Sequence, residues 1–418
     1  MREGSGPALD EGDAGEADTR AGRGPGVLER GRYSVDFMLS QEQQDFKREC
    51  KEFASKEIAP FLEEHDRNST FFWDGWKKMA EFGLLGLPFP EEYGGSGASA
   101  LDTAVAKEGF AAGGADWGIC LSWGANTIIG GVPIWKLGTE EQKQKYLVPL
   151  AAGETVSCFG LTEPDAGSDA ASLSTSAKKV GDKYILNGSK MFITNGPIAD
   201  IAIVLAVTDK EKGPKGGISA FIVEKEFPGF RAGKELDKMG NRTSPTSELF
   251  FEDCEVPAEN LLGEEGLGFV LVAKETLEWE RAVMMGPAIG LMEANLERCL
   301  AYAKEREQFG QPIANFQAIQ HKLADIKVAM DTSRLLMYRA AWMKDEGMPA
   351  AMEASVCKLF ISEAAMEAAS TAVQIFGGYG YIREYPVERS FRDSKLGEIG
   401  GGTSEIQRMI ISKMLLRG

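Results

Sequence analysis

The chain has few histidines and no paired cysteines. It contains two histidines in 418 residues, and its six cysteines are scattered singly without a CxxC pair. This pattern disfavours a zinc ribbon, a dithiol redox motif and a site built from several imidazoles. Isolated cysteines of this kind are typical of reduced, mostly buried residues, so we predict a cytoplasmic protein.

The sequence also lacks a long apolar run and a basic extension. No apolar stretch approaches the ~20 residues that cross a bilayer, so membrane insertion is not expected. Acidic residues outnumber basic ones by 63 to 46, which gives a net charge of −17. A field of that sign repels nucleic acid and anionic membrane surfaces, although a local basic site could still bind an anionic ligand.

Residues 1–36 differ from the remainder because they contain almost no large apolar side chains. Gly, Ala, Asp, Glu and Arg dominate, so the segment cannot bury enough surface to order itself, and we predict a disordered tail. Its acidic residues are unlike a transit peptide, and it has no apolar stretch of a secretory signal. A start codon placed too far upstream is the alternative explanation.

Beyond this tail the hydrophobic spacing changes twice. Residues 37–155 show helical spacing, residues 156–262 contain short β-rich runs, and residues 263–418 return to helical spacing. Asn187-Gly188, between two apolar runs, is a strong signal for a hairpin turn. The predicted fold class is α+β, with an N-terminal helical domain, a middle antiparallel β domain and a C-terminal helical domain.

Four separated segments have the composition of a ligand site. The first, residues 159–169, is a loop of small and hydroxyl-bearing residues, which lets backbone N–H groups approach an anion or a polar ring edge. Alone it could also be a structural Gly-Ser turn. The others are Arg-Glu-Gln-Phe-Gly at 306–310, Gln-Ile-Phe-Gly-Gly at 374–378 and Gly-Thr-Ser-Glu-Ile-Gln at 402–407.

In this order, the four motifs resemble those of the acyl-CoA dehydrogenase family, and the resemblance covers residues 37–418. It implies an FAD enzyme with a C-terminal four-helix bundle that usually forms a homotetramer. FAD would lie between the β domain and the bundle and would touch a neighbouring subunit. The implied partners are an acyl-CoA substrate and an electron-transfer flavoprotein.

The resemblance assigns cofactor residues by position. Arg306 suits a diphosphate because a guanidinium offers a rigid fork of donors. Thr403 begins the last helix, where free N–H groups favour anionic oxygens, and the Gln374 segment is expected to reach across a subunit boundary. The cofactor set is Phe159, Leu161, Thr162, Gly167, Ser168, Phe192, Ile193, Thr194, Arg306, Gln308, Gln317, Gln374, Ile375, Phe376, Gly377, Gly378, Thr403, Ser404 and Glu405.

The reaction also needs a base, because a proton must leave Cα while a hydride leaves Cβ for flavin N5. A carboxylate in an apolar pocket suits this step. Many members of the family have Glu immediately before the Gly-Thr of the last motif, where this chain has Gly401. The isovaleryl-CoA dehydrogenase-like branch instead carries its base in a Glu-Arg pair, which matches Glu280-Arg281. We therefore predict Glu280 as the catalytic base.

The predicted substrate-binding residues surround this pair. Glu278 and Glu280 point roughly 200° apart on a helix, so both cannot face one pocket, and Glu280 directly precedes the arginine that would bind CoA. One extra residue upstream could displace the helix, and Glu398 is a backup base. The substrate set is Ser168, Glu278, Arg281, Gly401 and Gly402.

The two glycines at 400 and 401 replace larger side chains of many relatives. The volume that they leave predicts a branched, cyclic or otherwise bulky acyl group. Two alternative functions remain at this point. One is an acyl-CoA oxidase that uses O₂, and the other is a catalytically silent flavoprotein that acts as a binding module. The glycine at position 401 favours a catalytically silent protein, whereas the Glu280-Arg281 pair argues against one.

Overall fold

The computed structural model describes residues 38–417, with the side chains of residues 272–274 excepted. The predicted disordered tail, residues 1–36, lies outside this range. Within it, no helix combines the length and the apolar character needed to cross a membrane.

The first part of the fold is helical. Its helices are α1 (Gln41–Glu57), α2 (Leu62–Asn68), α3 (Trp73–Glu81), α4 (Ala100–Ala112), α5 (Trp117–Gly124), α6 (Val132–Leu137) and α7 (Glu140–Ala151). Three of them begin at a capping box: Ser40, Ser99 and Thr139 each accept a hydrogen bond from the N–H three residues later and are bonded in return. These boxes satisfy N–H groups that a helix start otherwise leaves unpaired.

An eight-stranded sheet follows. Its strands are β1 (Ser157–Gly160), β2 (Ser176–Val180), β3 (Lys183–Thr194), β4 (Ile201–Val207), β5 (Ile218–Glu224), β6 (Phe230–Ala232), β7 (Thr246–Pro257) and β8 (Leu261–Leu262). The order is β6-β7-β3-β2-β4-β5-β8, with β1 beside β4. The pairs β1–β4 and β2–β4 are parallel, and the others are antiparallel. The predicted β domain is therefore confirmed, and these two pairs are exceptions to its antiparallel order.

The predicted hairpin turn at Asn187-Gly188 is wrong. Both residues lie inside β3, at a point where the register of β3 with β7 shifts. Gly188 has φ +146°, so the irregularity requires glycine for the same reason that a turn does. The actual turn between β2 and β3 is formed by Gly181 and Asp182, because Val180 pairs directly with Lys183.

The C-terminal part contains four long helices and two shorter ones, which confirms the predicted bundle. They are α8 (Gly268–Val283), α9 (Gly286–Glu305), α10 (Gln317–Asp345), α11 (Ala351–Phe376), α12 (Val387–Ser394) and α13 (Ser404–Arg417). Two short strands, β9 (Glu307–Gln308) and β10 (Gln311–Pro312), form a ribbon between α9 and α10. All six cysteines are free and buried, as predicted.

Helix α4 joins the two helical parts. The Glu108 carboxylate is fully buried and forms ion pairs with Lys47 of α1 and Arg334 of α10. A Cβ at Gly290 would lie 2.2 Å from the Glu108 carbonyl oxygen, so α9 packs with its backbone close to α4. Helix α9 directly follows α8, the helix that carries Glu280.

Candidate active site

The loop after β1 is held in place by a buried carboxylate. Glu163 accepts hydrogen bonds from the Ser174 N–H at 2.6 Å, the Thr175 N–H at 2.9 Å and Lys190 Nζ at 2.8 Å. Lys190 Nζ also donates to the Leu161 carbonyl oxygen at 3.3 Å. Burial alone would raise the pKa of Glu163, but these donors outweigh it and lower the pKa to about 2.

Phe192 follows Lys190 on β3 and presents an exposed aromatic face. Its side chain is 64% exposed and its φ is +60°, a value that a bulky residue rarely adopts. Ile193 beside it is buried, and Thr194 is half-buried. The same strand therefore holds the loop at 159–168 and presents the predicted flavin-packing segment.

The start of α13 lies near this loop. Ser168 shares a groove of about 490 Å³ with Ile406 and Lys413 of α13. Thr403 Oγ1 accepts a hydrogen bond from the Ile406 N–H at 3.3 Å. Ser404 Oγ is buried and has no hydrogen-bond partner within the described part of the chain. The structure therefore brings the first and the last motifs together.

A second group of predicted cofactor residues lines a different groove, of about 640 Å³. Arg306 and Gln308 border it from the end of α9 and the β9–β10 ribbon, and Ile375 to Gly378 border it from the end of α11. No residue of the loop at 159–168 lines it in the part that the structure describes. Gln317 and Gln374 are exposed outside its lining. In one chain, the predicted cofactor residues thus form two separate groups.

Glu280 lies in a cavity of about 60 Å³ beside residues 400–402, which we call the glycine loop. The cavity is lined by Trp117, Leu121, Glu280, Arg281, Met284, Met285, Lys358, Leu396, Gly397, Gly400 and Gly401. A Cβ added to Gly401 would lie 3.0 Å from Glu280 Oε1 and 3.2 Å from its Cδ. The carboxylate of Glu280 therefore fills the space that a side chain at position 401 would enter.

The surroundings of Glu280 favour an elevated pKa. Burial raises the pKa of its carboxyl group, and the positive charges of Arg281 and Lys358 oppose this rise. Arg281 Nε donates to the Gly401 carbonyl oxygen at 3.3 Å, so the arginine and the loop are in direct contact. A carboxylate whose pKa is raised is a stronger base than an ordinary carboxylate.

The other two acidic candidates do not line this cavity. Glu278 faces Lys344 of α10, with Oε2 and Nζ 3.4 Å apart, as its opposite direction on the helix predicts. Glu398 forms an ion pair with Lys395 in the turn before the glycine loop. Of the three acids, Glu280 alone is among the cavity residues.

Several cavity residues were missed by the sequence analysis. Trp117 and Leu121 come from α5, and Met284 and Met285 follow α8, where they look like ordinary core residues. Lys358 carried a signal that could have identified it: it is a charged residue on the buried face of α11, next to Cys357. A lysine on such a face needs a partner, and this one contacts the glycine loop.

Comparisons with known proteins agree with this arrangement. Models of the acyl-CoA dehydrogenase N-terminal, middle and C-terminal domains match residues 40–154, 158–254 and 267–416. Together they cover well over half of the sequence, and they match the helical, β and helical parts in order. The chain therefore belongs to the acyl-CoA dehydrogenase family.

Individual relatives are similar over nearly the whole chain. The short-chain specific acyl-CoA dehydrogenase of Clostridium acetobutylicum is 45% identical over 92% of this chain and 100% of its own length. A chain of the structure described as electron transferring flavoprotein of Acidaminococcus fermentans is 49% identical, with a TM-score of 0.89, and 92% of this chain and 100% of that one are covered. An FAD complex of PigA has 35% identity and a TM-score of 0.88, with the same coverage.

FAD is the cofactor of this family, and the residues present fit it. Phe192 offers an exposed aromatic face. Arg306 is exposed and has no carboxylate within ion-pair distance in the described part of the chain, so its guanidinium is free for a diphosphate. Gly377 and Gly378 leave open space, with nothing within 4 Å of a Cβ built on either residue. These features are those that an aromatic ring system with a diphosphate requires.

Proposed function

We propose that this protein dehydrogenates the Cα–Cβ bond of an acyl-CoA thioester to the 2-enoyl-CoA, with Glu280 as the base. The observation that carries this proposal is the position of the Glu280 carboxylate, beside Gly401 in a mostly apolar cavity. Gly401 stands where many relatives have their glutamate. A carboxylate that reaches the same space from another helix can act on the same substrate atom.

The roles of the residues follow from their chemistry. Glu280 removes the Cα proton, and its raised pKa makes it a stronger base than an ordinary carboxylate. Arg281, next in sequence, provides the positive charge for a CoA ligand. Phe192, Arg306 and the segment at 374–378 are proposed to hold FAD. When bound, FAD supplies the acceptor for the hydride that leaves Cβ.

The cavity narrows the acyl group that we expect. The bulky or cyclic group predicted from Gly400 and Gly401 needs the volume beside both glycines, but the Glu280 carboxylate occupies the space at Gly401. Of the two glycines, only Gly400 has room for a side chain, since a Cβ built on it would lie 3.6 Å or more from the nearest atoms, which belong to Leu396. We therefore propose a short acyl group, straight or with a small branch. The substrate class of the Clostridium relative supports this size.

We further propose an electron-transfer flavoprotein as the electron acceptor and a homotetramer as the assembly. The similarity to the Acidaminococcus structure supports the acceptor. The separation of the two cofactor groups in one chain supports an assembly in which two copies share FAD. The cytoplasmic location stays a prediction. Rates of flavin reoxidation in air distinguish this dehydrogenase from the alternative oxidase, which would react rapidly with O₂.

The test is an anaerobic titration of the FAD-loaded protein with butyryl-CoA, isovaleryl-CoA and a cyclic acyl-CoA. We expect wild type to lose its flavin absorbance with the two short esters. Glu280→Gln should bind them without loss of absorbance, because an amide cannot take the proton. Glu275→Gln, on the same helix but outside the cavity lining, is the matched control and should behave as wild type. Equal bleaching by Glu280→Gln would refute the assignment, and bleaching only by the cyclic ester would refute the short acyl group.

A further inference from the structure

Lys358 is a buried cation that the proposed reaction leaves without a role. It lies on α11 with 1% of its surface exposed. Its Nζ donates to the Gly402 carbonyl oxygen at 2.6 Å, and no carboxylate lies within ion-pair distance of it in the part of the chain that the structure describes. An ammonium in such a place has lost most of its hydration, which one carbonyl replaces only in part.

This ammonium belongs to the wall of the Glu280 cavity. The charged groups that act on Glu280 come from two elements, namely Arg281 from its own helix and Lys358 from α11. The Arg281 side chain is directed to the Gly401 carbonyl oxygen at 3.3 Å. Lys358 is therefore the cation that approaches the carboxylate from a different helix, independently of the Glu-Arg pair.

Lys358 also holds the glycine loop. Gly401 and Gly402 have φ values of +64° and +91°, a left-handed backbone that resists side chains. Gln407 Nε2 donates to both of their carbonyl oxygens, at 3.0 and 3.1 Å, and Lys358 adds the bond to Gly402. Since Glu280 Oε1 lies 3.0 Å from the Cβ position of Gly401, any shift of this loop changes the wall that the carboxylate touches.

We propose that Lys358 is a positioning residue for the base: its ammonium holds the glycine loop against Glu280 and stabilises the ionised carboxylate. This role rests on the proposed function of Glu280. Burial favours the neutral carboxyl group, which is a poor base, and a nearby positive charge favours the ionised form. Burial lowers the pKa of Lys358 to about 8. Glu280, Glu398 and Glu363 oppose this shift and Arg281 adds to it, so the ammonium is still charged at neutral pH.

The test is the pH dependence of flavin reduction in single turnovers of FAD-loaded protein with butyryl-CoA. The rate rises with pH as the base ionises, and its midpoint reports the ionisation of Glu280. In Lys358→Met we expect the midpoint to move up by about one pH unit, which slows reduction at pH 7 by up to about tenfold. Lys358→Arg keeps the charge and should keep the midpoint near that of wild type. Lys210→Met removes an exposed lysine between β4 and β5 and serves as the control.

An unchanged midpoint in Lys358→Met would overturn the proposal, even if the rate fell equally at every pH, because a purely structural role lowers the rate without moving its pH dependence. If Lys358→Met does not fold with FAD, Lys358→Gln provides the same comparison. The outcome is separable from the proposed function. If the flavin of Glu280→Gln is bleached by substrate, Glu280 is not the base. If it is not bleached and the pH midpoint of Lys358→Met equals that of wild type, only the role of Lys358 is refuted.

Discussion

Glu163 and Glu280 are two enclosed carboxylates with opposite surroundings. Glu163 accepts hydrogen bonds from two backbone N–H groups, the Ser174 hydroxyl and the ammonium of Lys190, and its pKa is lowered to about 2. Glu280 has two cations nearby, but they donate to the carbonyl oxygens of the glycine loop. Burial therefore dominates at Glu280 and raises its pKa.

The two carboxylates differ in where the hydrogen-bond donors around them point. Donors that point at the oxygens lock the charge in place and tie a loop to its strand, as at Glu163. The donors near Glu280 point at neighbouring carbonyls and do not engage its oxygens, as its proposed role as the base requires. Burial also affects Lys190, the ion-pair partner of Glu163, and lowers its pKa to about 8 despite the pairing. The stability of that region thus depends on keeping both partners.

Removing the base from position 280 and placing it at position 401 should give the largest effect on the rate of flavin reduction. Glu280→Gly should slow flavin reduction by a factor of about 10² to 10⁴, the usual contribution of a general base. Adding Gly401→Glu should recover part of this rate, because a side chain at 401 points into the space left by the carboxylate. The recovery stays partial because φ +64° strains a residue other than glycine. Anaerobic stopped-flow measurement of flavin absorbance gives both rates.

Gly400→Glu in the Glu280→Gly background is the matched control for this exchange. A Cβ at Gly400 is directed toward Leu396 and not toward the carboxylate, so no recovery is expected. If the Gly401→Glu exchange is no faster than Glu280→Gly alone while FAD stays bound, the two positions do not share one reacting space.

Removing the Glu163 carboxylate tests the structural role that we assign to it. Glu163→Gln leaves the Lys190 ammonium buried without its counter-charge, so we expect a loss of about 3 to 5 kcal/mol in the free energy of unfolding. Urea unfolding followed by circular dichroism measures this loss. Adding Lys190→Met should restore part of the stability, because it removes the unpaired charge. A loss below about 1 kcal/mol in Glu163→Gln would show that the pair is not a structural support.

The stability contributed by Glu163 should also depend on pH. Its folded pKa of about 2 lies below the ordinary value of 4.5, so the folded state binds fewer protons than the unfolded state between these values. The contribution is complete above about pH 4.5 and is lost as the pH falls toward 2, with a total of about 3 kcal/mol. The stability difference between wild type and Glu163→Gln should therefore shrink as the pH falls from 5 to 3. A difference that stays constant over this range would contradict the assignment.

The sequence predicted the order of helical and β regions because buried faces repeat with clear periods. It could not place Gly188, because an Asn-Gly pair marks positive φ in a turn and in a strand irregularity alike. The parallel pairing of β1 with β4 was also beyond its reach. Such pairing joins segments 44 residues apart, Ser157 with Ile201, and depends on tertiary packing.

The site shows the same limit. Glu280 could be identified as a cavity residue from its place before Arg281, since the family motif is contiguous there, and its role as the base stays a prediction. The inference of free volume at Gly401 was wrong because the helix that fills it is more than 100 residues away in sequence. The position of Lys358 on an apolar helix face signalled a buried lysine, but its partner could not be predicted, because that partner is the Gly402 carbonyl oxygen and a backbone atom leaves no signature in the sequence.

The smallest expected effect comes from one methyl group in the glycine loop. In Gly401→Ala the new Cβ would lie 3.0 Å from Glu280 Oε1, and the φ of +64° disfavours alanine, so the carboxylate must shift. Such a displacement should cost about tenfold in kcat/KM for butyryl-CoA. Gly400→Ala adds the same methyl group with no contact closer than 3.6 Å, so it should stay within about twofold of wild type. Equal rates in the two variants would mean that the contact between Gly401 and the carboxylate does not set the position of the base.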